Sequence, residues 1–249
     1  MEVQAAFRAS SSSSVRRILL KISGEALMGA EAYGLDPSTL QRIARDIKEV
    51  YSQGFELCLV VGGGNIFRGL KGMEQGFDRT SGDTMGMLAT VINAIALQNT
   101  LQTLGIPTEV MSALAMPAVC EPYNHRRALH LMEKRHVVLF AAGSGNPYFT
   151  TDTAAALRAA EMKCDVLFKG TKVDGVYSSD PLQDPQAMFY PSLSYTQALG
   201  ENLKVMDATA LTLAQENKIP LVVFSIQEAG NLAKVIRGEG RYTYICNDI

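Results

Sequence analysis

The chain has 249 residues, 47% of them hydrophobic and 19% charged, with 25 acidic against 23 basic side chains and a formal charge of −2. That length suits one large domain or two small lobes, and the scattered Lys and Arg exclude the basic footprint of a nucleic-acid binder. No run approaches the roughly 20 apolar residues that span a bilayer, so a soluble, cytoplasmic enzyme is expected. The four cysteines, Cys58, Cys120, Cys164 and Cys246, share no C-x-x-C spacing, and Cys58 and Cys164 lie in or beside apolar strand patterns as reduced thiols. His125, His130 and His136 lack zinc spacing, so no metal site made by the protein itself is expected. Residues 1–14 are Ser- and Ala-rich and read as a disordered or processed tail. If that tail is a transit-peptide remnant, an organelle stroma replaces the cytoplasm. The remainder, 15–249, reads as a single domain.

Strand and helix patterns alternate from Val15 onward. Arg17 to Ile22 is an apolar strand, and Pro37 to Gln53 a helix with Asp36 as N-cap, Pro37 at N1 and Gly54 at its end. Glu56 to Val61 has the β-branched content of a buried parallel strand and breaks directly into Gly62, Gly63 and Gly64, followed by Arg68. Such a loop lets backbone N–H groups approach an anion, and an arginine supplies a cation beside them. A long helix is expected from about Gly82 to Leu104, a strand near Glu109 to Met111, a helix near Asn124 to Lys134 and a strand at His136 to Ala141. Thr151 to Met162 reads as a helix with Asp152 in its first turn, and Val166 to Lys169 as another buried strand. Tyr190 to Leu199 fits either type, Val205 to Asn217 reads as helix, Leu221 to Ser225 as strand and Ala229 to Ile236 as a short helix, with a last strand after it. Repeated β-loop-α units imply a mainly parallel sheet with helices on both faces, a three-layer αβα sandwich.

In such a sheet, ligands bind beyond the carboxyl ends of the strands. Those ends carry Lys21-Ile22-Ser23-Gly24, Gly62-Gly63-Gly64-Asn65, Gly143-Ser144-Gly145-Asn146-Pro147 and Lys169-Gly170-Thr171-Lys172-Val173-Asp174-Gly175. Glycine-rich turns combined with lysines suit a polyphosphate held by backbone donors. Neither G-x-x-x-x-G-K-[ST] nor a strand followed by G-x-G-x-x-G is present, which excludes the two commonest nucleotide fingerprints.

Six segments in order, LLKISGEAL (Leu19 to Leu27), VVGGGNIFRG (Val60 to Gly69), GDTMGMLATVINA (Gly82 to Ala94), GSGNPYFTTDTAA (Gly143 to Ala155), KGTKVDGVYSSDP (Lys169 to Pro181) and KVMDATA (Lys204 to Ala210), resemble the amino acid kinase family. Within it, the resemblance is to bacterial-type uridylate kinases. It runs from Arg17 to about Gly238 and implies the carbamate kinase-like fold, with an acceptor part at about 15–160 and an ATP part at about 161–249. It also implies transfer of the γ-phosphoryl group from ATP, with Mg²⁺, to UMP.

On that resemblance the catalytic residues are Lys21, Arg68 and Asp152. Lys21 reaches the transferring phosphoryl group, and Asp152 orients Lys21 or helps hold Mg²⁺ through water. The ATP site comprises Lys21, Ile22, Ser23, Gly24, Gly64, Arg68, Thr171, Tyr177 and Asp180. UMP falls to Gly63, Asp83, Ser144, Gly145, Asn146, Pro147, Tyr148, Phe149, Thr150 and Thr151, with Asp83 on the ribose hydroxyls and Asn146 reading uracil. Ser144 stands where close relatives are expected to carry threonine. Lys169, Lys172 and Lys204 are all candidates for a second catalytic lysine. The family also implies GTP activation, UTP inhibition and a homohexamer built from dimers. Met85, Leu88, Ala89, Ile92, Ile95 and Ala96 form one apolar stripe on the Gly82–Leu104 helix, extended by Met87, Val91, Ala94 and Leu97, and a dimer contact is expected there. Two other readings stay open, a silent nucleotide-binding regulator and a carboxylate or carbamate kinase of the same fold. Intact Lys21, Arg68, Asp83 and Asp152 favour the enzyme.

Overall fold

In the structure, a computed structural model that describes residues 16–67, 76–181 and 183–247, the chain starts with the two apolar strands expected at its core. These are β1 (Arg17–Ile22) and β2 (Glu56–Val61), paired in parallel around α1 (Pro37–Ser52). Asp36 caps α1 by accepting from the Ser38 and Thr39 N–H groups, with Pro37 at the first helical position, where a missing N–H costs nothing. Then come α2 (Arg79–Thr103), β3 (Thr108–Ser112), β4 (Glu121–Pro122), α3 (His125–Glu133), β5 (Val137–Ala141), α4 (Thr151–Glu161) and β6 (Val166–Thr171). The last part holds β7 (Val176–Tyr177), β8 (Phe189–Tyr190), β9 (Ser192–Ser194), α5 (Tyr195–Gly200), α6 (Ala208–Glu216), β10 (Leu221–Ser225), α7 (Asn231–Ile236) and β11 (Tyr242–Cys246).

Among the described residues, nine strands form one sheet in the order β4-β3-β5-β2-β1-β6-β10-β11-β9, and β7 and β8 form a separate antiparallel hairpin. Only the β10–β11 pair of the large sheet is antiparallel. Alternation along each strand splits the core in two. Ile18, Leu20, Leu57, Leu59, Phe168 and Phe224 pack under α1, α2 and α7, whereas Leu19, Val60, Phe140, Leu167 and Val223 pack under α3, α4, α5 and α6. The result is the expected three-layer sandwich. No helix of the described residues is long and apolar enough to cross a membrane.

Several boundaries differ from the sequence expectation, each for a local reason. Helix α2 starts at Arg79 instead of Gly82, because Asp78 accepts from Ser81 N–H and its polar first turn carries no apolar signal. Helix α6 starts at Ala208, not Val205: Val205 and Met206 are buried without being helical, and Asp207 is the N-cap. Strand β6 runs on through Thr171, since β1 and β10 pair with it on both sides. Helix α7 begins at Asn231, after Gly230 at φ +75°. The ambiguous Tyr190 to Leu199 stretch divides into the end of β8, β9 and most of α5.

Candidate active site

Lys21 and Lys169 stand opposite one another at the carboxyl ends of the adjacent parallel strands β1 and β6, with Leu19 and Leu167 two residues earlier on the same sheet face. That face lies under α4, whose first turn carries Asp152. The register therefore delivers two ammonium groups to one carboxylate. Lys21 Nζ lies 2.7 Å from Asp152 Oδ1, and Lys169 Nζ donates to Asp152 Oδ2 at 2.7 Å. Two like charges on neighbouring strands would repel without the anion between them. Burial alone would raise the Asp152 carboxyl, but the ammonium groups of Lys21 and Lys169 outweigh it and hold it at about 2. Burial also pushes the Lys169 ammonium below its usual range, against the pull of Asp152. Lys169 donates a second hydrogen bond, to the Val205 carbonyl at 2.5 Å.

This geometry distinguishes the three candidate lysines. Lys172 is 45% exposed and faces Glu25 at 3.5 Å, so its charge is largely screened. Lys204 lines the same cavity as Lys21 and Lys169, while Lys169 alone of the three contacts Asp152 directly. Asp152 Oδ2 accepts a hydrogen bond from Lys169, while buried Oδ1 makes none among the described residues and faces Lys21 as an ion pair. Among the described residues no group of three or more His, Cys, Asp or Glu side chains could hold a metal ion.

The glycines serve close packing as well as anion approach. A Cβ on Gly24 would lie 2.6 Å from the Gly62 carbonyl oxygen and 2.8 Å from Gly64 N, and one on Gly63 only 2.7 Å from the Gly86 carbonyl oxygen of α2. The loops after β1 and β2 thus touch backbone to backbone, and the second also touches α2. Two fully buried amides lock this arrangement. Asn93 Nδ2 donates to Gly62 O and to Asn65 Oδ1, both at 2.6 Å, while Asn65 Nδ2 donates to Gly34 O at 2.8 Å. Thr90 Oγ1 accepts from Ala142 N–H at 2.7 Å, which ties α2 to the loop after β5.

Two cavities lie at this end of the sheet, and Lys21 and Lys169 line the second of them. The first is lined by Gly63, Gly64, Asp83, Ser144, Asn146, Phe149, Thr150 and Thr151, together with α2 residues and Phe67. The expected acceptor residues are therefore brought together, while Gly145, Pro147 and Tyr148 belong to the same loop but not to the lining. Asp83 Oδ2 accepts from Arg79 Nε at 2.7 Å and from Tyr148 N–H at 2.8 Å, which holds Tyr148 at φ +72°. Among the described residues, the Asn146 side-chain amide makes only a long 3.4 Å contact to Ser144 O within its own loop. The second cavity is lined by Lys21, Ser23, Glu25, Lys169, Thr171, Lys172, Lys204 and neighbouring residues. Of the other expected ATP residues, Gly64 lines the first cavity, and Ile22, Gly24, Tyr177 and Asp180 fall outside the second cavity's lining, the last two on and after β7. Tyr177 packs edge-on against Phe189 and donates to Asp174 Oδ1 at 2.6 Å. Arg68, expected beside both phosphates, lies outside the described residues.

Residues 16–225 match the model of the amino acid kinase family. The chain belongs to that family. Within it the resemblance is to uridylate kinases: the one from Zymomonas mobilis is 56% identical over 232 residues, covering 93% of this chain and 96% of that protein. Crystal structures of UMP kinases are similar too. That from Ureaplasma parvum has a TM-score of 0.89 at 40% identity, covering 94% of this chain and all of the other. The one from Bacillus anthracis has a TM-score of 0.91 at 36% identity, covering 94% and 97%.

The residues that support this site carry no motif signal of their own. Asn65, Thr90, Asn93 and Asp207 lie inside the matching segments, but nothing in their spacing distinguishes a buried amide or a cap from an ordinary polar residue. The signal available was polarity at positions where a periodic apolar pattern predicts core. Asn93 shows this, sitting between the buried Val91 and Ala94 of α2.

Proposed function

We propose that this chain transfers the γ-phosphoryl group of ATP to UMP, giving UDP and ADP, with MgATP as the donor substrate. The observation that carries the reading is the Lys21–Asp152–Lys169 cluster, whose lysines line a lysine-rich donor cavity and whose Asp152 follows Thr151 of an acceptor cavity built on glycine loops. Phosphoryl transfer passes through a loose transition state with charge on the equatorial oxygens, so positioned cations matter more than a covalent nucleophile. The nucleophile is a phosphate oxygen of UMP, already anionic near neutral pH, and it requires no general base. Lys21 and Lys169 meet the transferring group, held rigid by Asp152. Backbone N–H groups of Gly63 and Gly64 and the hydroxyl of Thr151 serve the acceptor phosphate, with Arg68 as its guanidinium partner. Asp83 takes the ribose hydroxyls through Oδ1, since Oδ2 is engaged by Arg79 and Tyr148.

Asn146 reads uracil. CMP presents a donor amino group where UMP presents an acceptor, and buried polar mismatches of this kind discriminate by up to about 10⁴. Initial rates with UMP, CMP, dCMP and AMP test the reading: UMP should dominate. Equal turnover of UMP and CMP would remove the role of Asn146, and turnover of a small carboxylate without UMP would overturn the substrate.

The family resemblance further supports cytoplasmic pyrimidine nucleotide synthesis, GTP activation, UTP inhibition and a homohexamer. For assembly there is also a physical support. On α2, Met87, Ala89, Val91, Ala94 and Leu97 are core, whereas Leu88, Ile92 and Ile95 are 44%, 51% and 38% exposed. The stripe expected from the sequence thus splits into a core face, which takes Ala89, and an outward face suited to a second copy. Light scattering near 27 kDa from a fully active protein would refute the assembly.

A further inference from the structure

Asp207 lines neither cavity, yet its carboxylate connects the element that carries the donor-side lysine contact to the element that carries Asp152. Two residues before it, the Val205 carbonyl accepts from Lys169 Nζ. Asp207 Oδ1 accepts from the Ala210 N–H at 3.0 Å, which caps α6, and from Thr153 Oγ1 at 2.8 Å. Asp207 Oδ2 accepts from the hydroxyl of Thr150, a residue of the acceptor cavity. Thr150 Oγ1 in turn accepts from the N–H groups of Asp152, at 3.0 Å, and Thr153, at 3.3 Å, and so caps α4.

A helix cap needs one side-chain oxygen, and serine or asparagine supplies it as well as aspartate does. The second oxygen of Asp207 is therefore surplus to capping. It fixes the single proton of the Thr150 hydroxyl, leaving both lone pairs for the first N–H groups of α4. Hydrogen bonds in series polarise one another, so a hydroxyl that donates to a carboxylate is the better acceptor. We propose that Asp207 is a positioning residue for phosphoryl transfer, acting through the Thr150 hydroxyl on Asp152 and through Asp152 on the Lys21 and Lys169 ammonium groups. The charge of Asp207 also favours the ammonium form of Lys169, which burial and Lys21 disfavour and Asp152 favours. This inference rests on the UMP kinase reading above.

The decisive variant is Asp207→Ser, which keeps a capping oxygen for Ala210 and loses the bridge to Thr150. Its kcat with saturating MgATP and UMP should fall by roughly 10-fold or more while KM for either nucleotide moves less than about 3-fold, the pattern of an interaction used in the transition state. Its melting temperature should stay within about 5 °C of wild type, because the cap survives. Thr150→Val should reproduce the kcat loss, and Thr150→Ser, which keeps the hydroxyl, should turn over at least about 5 times faster than Thr150→Val. The double variant Thr150→Val/Asp207→Ser should be no slower than the slower single, since both break one chain of contacts. An Asp207→Ser enzyme with wild-type kcat overturns the proposal, as does a double variant whose losses multiply. So does a loss that only tracks the fraction of folded protein. A wild-type chain that fails to phosphorylate UMP overturns this proposal together with the reading beneath it, whereas an active wild type with unaffected variants overturns the positioning role alone.

Discussion

Replacing Lys169 by methionine tests which lysine assists Lys21. The side chain is 14% exposed, and methionine preserves much of its volume while removing the charge. Asp152 then loses one of its two cations and the Val205 carbonyl loses its donor, while Lys21 stays at 2.7 Å. Breaking a buried pair outright costs about 3–5 kcal/mol, and with one cation left a destabilisation of about 2 kcal/mol is expected. The chain should stay folded at 25 °C. Activity should fall much further, since removing one preorganised charge-stabilising group from a transition state costs about 10²–10³ in kcat. Lys172→Met is the comparison: its half-exposed pair with Glu25 at 3.5 Å should be worth less than about 1 kcal/mol, with kcat within about 5-fold of wild type. A coupled assay of ADP release at saturating UMP, alongside urea unfolding, reads both quantities. Lys169→Met turning over within about 3-fold of wild type, or Lys172→Met crippled to the same degree, would refute the assignment.

Gly63→Ala places a Cβ 2.7 Å from the Gly86 carbonyl oxygen and 2.9 Å from Ala89 Cβ. The glycine loop must then move off α2, which should cost about 1–3 kcal/mol in urea unfolding and raise KM for UMP. Asn93→Ala strips the Gly62 carbonyl and Asn65 Oδ1 of a shared donor, and at about 1–3 kcal/mol for each unpaired buried group the urea midpoint should report a loss of about 3 kcal/mol. Acid should act on the lysine cluster with a definite sign. The folded Asp152 pKa of about 2 lies below the unfolded value, so its contribution is present above about pH 4 and lost as pH falls through about 2, amounting to about 2 kcal/mol. Asp152→Asn should therefore show a shallower fall of stability between pH 4 and pH 2 than wild type, and identical slopes would contradict the ion-pair reading.

Strand positions were legible because parallel strands buried on both faces leave nearly continuous apolar runs, as Glu56–Val61 and Val137–Ala141 do. Lys21 stood out for the opposite reason, as a charge ending such a run. The partnership of Lys21, Lys169 and Asp152 was only half legible. Asp152 was expected to orient Lys21 or to help hold Mg²⁺ through water, but the choice among Lys169, Lys172 and Lys204 depends on strand register across roughly 150 residues of sequence, which local pattern does not encode. The glycine run was assigned to anion approach, whereas the structure adds a steric demand from Gly86 and Gly62 that no single segment reveals. The start of α2 was misplaced because the cap Asp78 precedes a polar first turn, and caps are visible in sequence only beside an apolar repeat.

The central position of β1 also sets an order of events during synthesis. Ile18 lies opposite Leu57 on one side and Val166 on the other. The first neighbour is made soon after β1, while the second leaves the ribosome roughly 150 residues later, on the order of 10 s at cellular elongation rates. Throughout that interval one edge of an apolar strand waits without its ladder, the condition under which strands pair with the wrong partner. The delay ends at the strand that carries Lys169, so the last neighbour to protect β1 is also the one that completes the lysine cluster around Asp152.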